Sequence, residues 1–244
     1  MLSYLQQYRI SIHKKERTNL EQKTALIAGS TGLVGSELLP MLLEGSPYKH
    51  VTALVRRPMN IKHPKLTVVL VDFDKLKDMG EIFAVDDVFC TLGTTIKKAK
   101  TKQAMYRVDV EYPVEMARLA YEHGAKHFLI VSSMNADPNS PLWYPKMKGE
   151  LEQKLAKIPI ETLSIMRPSL LLGKRDEFRF GERMAGILFS AISFLFKGPL
   201  RKYRAIKGET VAVAMYHLAQ FSQKGCNIYS SEEIEKIRDR MDSE

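Results

Sequence analysis

Cysteine and tryptophan are scarce in this chain, with two of the first and one of the second in 244 residues. Cys90 and Cys226 stand far apart and show no metal-ligand spacing. That argues against a disulfide framework or a zinc site and points to free thiols in a reducing compartment. Cys90, inside the run Val88-Phe89-Cys90, reads as a buried and inert thiol. Long apolar runs are also missing. The longest, residues 185–196, falls short of the ~18–20 residues a membrane-spanning helix needs, so no membrane span is expected. Residues 1–20 lack the apolar core and small-residue cleavage site of a secretory signal. Residues 1–22 are therefore expected to be an extension, residues 23–244 a single domain, and the location cytoplasmic. No metal site is expected either: His123 and His127 are four apart, but Gly124 breaks the helix a shared metal face would need.

Acidic residues are outnumbered, 28 against 37 Lys and Arg, for a net charge of +9. The excess comes from Lys97, Lys98, Lys100 and Lys102, then Arg201, Lys202 and Arg204. None of these is interleaved with aromatics on a nucleic-acid module, so a solvated basic surface is expected and nucleic acid is not. Glu150 and Glu152, near Lys148, Lys154 and Lys157, read as a solvated charged helix face.

From residue 23 onward, apolar runs alternate with helical patterns. Strands are expected at 24–28, 50–55, 66–71, 86–91, 126–132 and 161–166, with helices at 33–43, 102–123 and from about Pro145. After Pro168 the rhythm breaks, with helices expected at 180–195 and 209–223 around a Gly198-Pro199 link, and residues 170–210 on the substrate side of a cleft. Val-, Ile- and Leu-dense strands suit a parallel sheet covered on both faces. The alternation predicts an α/β, doubly wound Rossmann fold with a mostly parallel sheet.

Two segments carry the chemistry. Gly29-Ser30-Thr31-Gly32-Leu33-Val34-Gly35 lies between the first strand and the first helix. In that context glycines permit a tight turn, a close approach to a dinucleotide pyrophosphate, and packing of helix on strand. The helix then points its positive end at the phosphates. The second strand ends in Val55-Arg56-Arg57-Pro58, where an NAD-selecting enzyme places an acid; two guanidinium groups instead match a 2′-phosphate. NADP(H) is the cofactor expected. Asp72 and Phe73 follow the third strand and read either as adenine contacts or as a helix N-cap at Asp72 or Asp74. Leu92, Gly93 and Thr94 follow the fourth, at the edge where such folds bind ligands.

The second segment is Tyr144-Pro145-Lys146-Met147-Lys148, 11 residues after Ser133. A tyrosine is a weak acid, with a reference pKa of ~10, and an ammonium one helical turn away favours its phenolate. Tyr144 is then the candidate proton donor to a carbonyl oxygen, Lys148 the candidate ligand of the nicotinamide ribose, and a serine the holder of the substrate oxygen. The residues alone leave Ser132 and Ser133 both open.

These pieces, with Val71-Asp72-Phe73, Phe89-Cys90-Thr91-Leu92-Gly93-Thr94-Thr95, Arg107-Val108-Asp109, Lys126-His127-Phe128, Lys148-Gly149-Glu150 and Arg167-Pro168, resemble the atypical short-chain dehydrogenases/reductases, and more narrowly the Tat-interacting-protein-like NAD(P)-binding oxidoreductases. The similarity spans about residues 23–182. It implies an NADPH-bound Rossmann domain with Ser133, Tyr144 and Lys148 at the reactive centre, and cofactor contacts from Leu171 and Arg179 after Arg167-Pro168. It names no substrate. Two readings follow: an NADP(H)-dependent oxidoreductase acting on a small carbonyl or alcohol, or an NADPH-binding regulatory or redox-sensing protein with little turnover. Partners compatible with either are a second copy of the chain or another protein.

Overall fold

Strands form where the chain is apolar on both sides of the pleat. In the computed structural model, which describes residues 22–172, 204–221 and 223–243, β1 (Lys23–Ala28) shows this most plainly. Ala25 and Ile27 enter one hydrophobic cluster and Leu26 and Ala28 the other, and all four are completely buried. β1 is joined by β2 (Tyr48–Val55), β3 (Leu66–Leu70), β4 (Asp87–Cys90), β5 (His127–Val131), β6 (Thr162–Arg167) and β9 (Gly225–Ser230). The sheet order is β3-β2-β1-β4-β5-β6-β9, with every pair parallel. The order reverses between β1 and β4. In open α/β sheets, ligands bind outside the carboxyl ends of the strands at this crevice.

One face is covered by α1 (Gly35–Glu44), α6 (Gly208–Phe221) and α7 (Ser231–Ser243). The other is covered by 3₁₀ turns at Phe73–Phe83, α4 (Tyr112–Glu122) and α5 (Trp143–Leu155). Between β4 and α4 the chain forms α2 (Ile96–Ala99), α3 (Lys102–Tyr106) and a π turn, Arg107–Glu111. A separate two-stranded pair joins β7 (Leu171–Leu172) to β8 (Ile206–Lys207).

Several elements differ from the sequence reading. The first helix begins at Gly35 rather than Leu33, because Gly29 to Val34 is consumed in a turn closed by the Gly32 N–H on the Gly29 carbonyl at 2.8 Å. The long helix expected at 102–123 is divided by the π turn, and Thr101 caps its start by accepting from the Ala104 N–H at 3.0 Å. β9 and α7 carry no strong pattern. β9 is an edge strand with exposure on alternate residues, and α7 is rich in charge. The helix expected at 180–195, the Gly198-Pro199 link and Arg179 lie outside the described residues.

Candidate active site

All the sequence-selected residues within the described chain, apart from those on helices, follow the carboxyl ends of parallel strands, so they share one edge of the sheet. At the end of β1, Gly29 has φ +87°. A Cβ on it would stand 2.6 Å from the Thr91 carbonyl carbon and oxygen. A Cβ on Gly35 would stand 2.2 Å from the Gly29 carbonyl oxygen. Neither position admits a side chain, and the first turn of α1 therefore lies directly on the end of β1. This backbone-walled turn at a helix start fits a dinucleotide pyrophosphate, which needs close backbone approach and N–H donors.

Ser30 is buried and its hydroxyl meets the Met59 sulfur at 3.4 Å. That contact brings the turn after β2 beside the glycine turn, with Arg56 and Arg57 both exposed on it. At the end of β3, the Asp72 carboxylate accepts from the Asp74 N–H at 3.1 Å and caps the 3₁₀ turns. Phe73 is buried and stacks on Tyr112 with ring centres 5.4 Å apart. Of the two readings of this pair, the N-cap is the one the contacts support. At the end of β4, the Thr91 N–H and hydroxyl both donate to the Ala28 carbonyl at 2.9 Å. Leu92 and Thr94 are half-buried and Gly93 is exposed on the loop that follows. Leu171 is half-buried on β7, packed against the α1/α6 core.

Beyond β5 the two serines part. Ser132 is 2% exposed, and its hydroxyl donates to Glu152 Oε1 at 2.5 Å. Glu152 also receives Arg167, through Nε to both oxygens at 3.1 Å and through Nη2. The paired carboxylate, opposing the effect of burial, holds the Arg167 guanidinium above its usual range. Glu152 is thus not on a solvated face: it is buried, because Ser132 and Arg167 supply the partners a charge needs away from water. Ser133 is half-buried. Tyr144 and Lys148 are four apart on α5 and share one face of it. Tyr144 is half-buried, while Lys148 is 2% exposed and pairs at 2.8 Å with Asp109, itself 0% exposed. The second Asp109 oxygen accepts the Thr94 N–H at 2.9 Å. Asp109 and Glu152 are the two site residues the sequence reading did not assign. For Asp109 a signal existed: an acid between Val108 and Val110 in an apolar helical pattern.

The opposite edge of the sheet carries a polar cavity of about 470 Å³. Asp87 lies there, accepting from Tyr48 at 2.6 Å and Lys23 at 3.1 Å, and burial raises its carboxyl above the usual range despite both. His127 bonds Ser164 at 2.8 Å. Burial, assisted by Lys23, pushes its imidazole down to about 3. Cys90 is fully buried, and its thiol is pushed up to about 12.

A parallel sheet in this order, a glycine turn at the switch point and polar residues along its carboxyl edge define a Rossmann-type protein that binds a nicotinamide nucleotide. Residues 29–158 match a family model described as NAD(P)H-binding. The chain is 36% identical over 182 residues to the protein HTATIP2 of Rattus norvegicus, covering 73% of this chain and 75% of that protein. It is 32% identical over 215 residues to the protein FMP52, mitochondrial, of Coccidioides immitis, covering 83% and 87%. The chain belongs to the NAD(P)H-binding family, in the atypical short-chain dehydrogenase/reductase-like branch that these relatives mark. Among solved structures, the Bordetella bronchiseptica enzyme WbmH in complex with NAD⁺ superimposes with a TM-score of 0.65 at 16% identity, over 91% of this chain and 80% of that one, which establishes the shared fold. The cytoplasmic location expected from the sequence is corrected by these comparisons: the FMP52 relatives are named mitochondrial.

Proposed function

We propose that the chain is an NADP(H)-dependent oxidoreductase acting on a small carbonyl or alcohol, and that it works in mitochondria. The observation that carries this reading is a chain of contacts from the glycine turn to the tyrosine helix. Ala28 precedes the turn and is bonded by Thr91; the loop from Thr91 leads to Thr94; Thr94 is bonded by Asp109; and Asp109 pairs with Lys148, one turn from Tyr144. The cofactor, when bound, supplies or accepts a hydride. The glycine turn, Gly29 to Val34, holds the pyrophosphate, while Leu92, Gly93, Thr94, Leu171 and Lys148 line the remainder. Arg56 and Arg57 recognise the 2′-phosphate, a role supported by the Met59–Ser30 contact that seats their turn beside the glycine turn. Ser132 is committed to Glu152, which leaves Ser133 to hold the substrate oxygen. Tyr144 gives its hydroxyl proton to that oxygen in reduction and takes it back in oxidation.

A panel of aldehydes and ketones with NADPH, run on the parent and on Tyr144→Phe, tests the assignment. NADPH consumption by the parent that disappears in the variant, with cofactor affinity intact, is the expected result. Consumption unaffected by the substitution removes Tyr144 from its role. Tight NADPH binding with no turnover across the panel assigns the chain to the regulatory reading. Organelle fractionation with an antibody to the chain tests the location.

A further inference from the structure

We propose that the cavity at the amino edge of the sheet is a second binding site, and that it takes a small hydroxylated anion, with a hydroxyl at its floor and a phosphate or carboxylate at its rim. Its volume of about 470 Å³ is that of a small-molecule pocket. It spans the amino ends of β1, β2, β4, β5 and β6 and the last turn of α6, so it shares no residue with the nucleotide edge. The floor is Asp87. Its side chain is 2% exposed, and both of its hydrogen bonds, from Tyr48 at 2.6 Å and Lys23 at 3.1 Å, fall on Oδ2. Oδ1 has no partner among the described residues and is not sealed from solvent, so it opens on the cavity. A buried carboxylate with one empty oxygen calls for a donor.

A metal ion does not supply it, since no group of His, Cys, Asp and Glu side chains that could hold one occurs among the described residues. Lys23 decides which organic group does. It lies against the same carboxylate, is 34% exposed, and uses two of its three donors, on Asp87 and on the Ala219 carbonyl at 2.7 Å. The third remains for a ligand. At this floor an ammonium is repelled by Lys23 and an anion by Asp87, whereas a hydroxyl both donates and accepts and so matches the pair. The rim has the opposite need. Asp86 already accepts the Thr24 N–H at 2.8 Å and its hydroxyl at 2.9 Å, and Glu161 pairs with Lys224 at 3.2 Å. Lys49 and Lys126 are exposed, and neither ammonium has a hydrogen-bond partner or a close ion pair among the described residues; Lys126 acts on Asp86 only through space. They stand three strand spacings apart, ~14 Å, and flank the opening. Two open ammoniums above acids that have their partners favour an anionic group at the mouth, clear of Asp87.

Isothermal titration calorimetry in a buffer free of phosphate and sulfate tests the site. Glucose 6-phosphate, gluconate, glucose and inorganic phosphate are titrated against the full chain, with and without NADPH, and against Lys49→Met combined with Lys126→Met. Glucose 6-phosphate, gluconate or both are expected to bind with a dissociation constant of about 1 mM or below, the tighter of the two identifying the anionic group. Glucose and inorganic phosphate are expected to bind at least about tenfold more weakly, and NADPH to leave the affinity unchanged. The double variant, altered only at two exposed side chains, is expected to keep the fold and to bind the hydroxylated anion at least about tenfold more weakly. No binding of either anion up to about 10 mM overturns the proposal. So does displacement by NADPH, which puts the ligand on the nucleotide edge. Inorganic phosphate as tight as the hydroxylated anions means an ion on lysines alone and overturns it too, as does an affinity unchanged in the double variant.

Discussion

Replacing His127 with glutamine alters the acid side of the stability profile without touching the proposed reactive centre. His127 is 5% exposed at the start of β5 and bonds Ser164 through Nε2. Burial and the nearby Lys23 ammonium hold its imidazole at about 3 against an ordinary 6.5. The folded-state value is depressed, so this contribution to stability is complete above pH 6.5 and is lost as pH falls toward 3, because only the unfolded chain takes up the proton. Linkage over that window gives the parent a loss of about 1.4 kcal/mol at pH 5.5 and about 2.7 kcal/mol at pH 4.5, relative to pH 8. Glutamine places an amide nitrogen where Nε2 stands and does not titrate. Near pH 8 the variant is expected to be less stable than the parent by about 1 kcal/mol, an ordinary packing effect. Asp86 and Asp87, which border the same cavity, are common to both proteins, so their own pH dependence largely cancels in the difference. Urea unfolding at the three pH values, followed by circular dichroism, measures that difference. The variant is expected to overtake the parent by pH 4.5. A gap that stays constant with pH refutes the argument.

Five further substitutions, in four variants, probe the other edge. Gly35→Ala forces a methyl group to 2.2 Å from the Gly29 carbonyl; a loss of about 1–3 kcal/mol in urea unfolding is expected, together with loss of NADPH binding by fluorescence titration, and unchanged binding would contradict the close approach. Ser132→Ala removes a buried hydrogen bond to a carboxylate, so its expected effect is a stability loss of about 1.5–3 kcal/mol with turnover retained, whereas Ser133→Ala should spare stability and lower kcat. The opposite pattern would exchange the two serines. The parent is expected to bind NADPH at least about tenfold tighter than NADH, and Arg56→Ala combined with Arg57→Ala to erase that preference while leaving NADH affinity in place; equal affinities in the parent would remove the two arginines from cofactor selection.

The inner strands of the sheet were legible because each is a short, largely apolar run, and a parallel sheet leaves no other place for such runs; β3, at one edge, is only half-buried but keeps Leu66, Val68, Val69 and Leu70. β9 was not, since an edge strand with one solvated face shows Gly225, Cys226 and Asn227 where a buried strand would show Val or Ile. The glycine turn was legible but not its length: its reason is steric, since a Cβ at Gly29 or Gly35 has nowhere to go, while the helix starts two residues later than Leu33. The Asp72-Phe73 pair was ambiguous, because an acid after a strand serves equally as a cap or as a ligand, and only the Asp74 N–H on its carboxylate separates the two.

Glu152 and Asp109 show where helix periodicity stops being informative. On α5, Glu150 and Glu152 read alike, yet Glu150 accepts from the Tyr106 hydroxyl near the surface while Glu152 is buried between Ser132 and Arg167. A charged side chain can be buried only where another element brings a cation or donors to it, and a single helix cannot say what will face it. Arg167 arrives from the end of β6 and Lys148 from α5, so both pairs form only when the strand order is set. Each carboxylate bears on the proposed reactive centre: Glu152 draws Ser132 inward and leaves the loop edge to Ser133, and Asp109 pairs with Lys148. The lateral order of the strands therefore decides which serine the proposed site presents and which carboxylate lies beside Lys148, and neither carboxylate has to touch a substrate to do so.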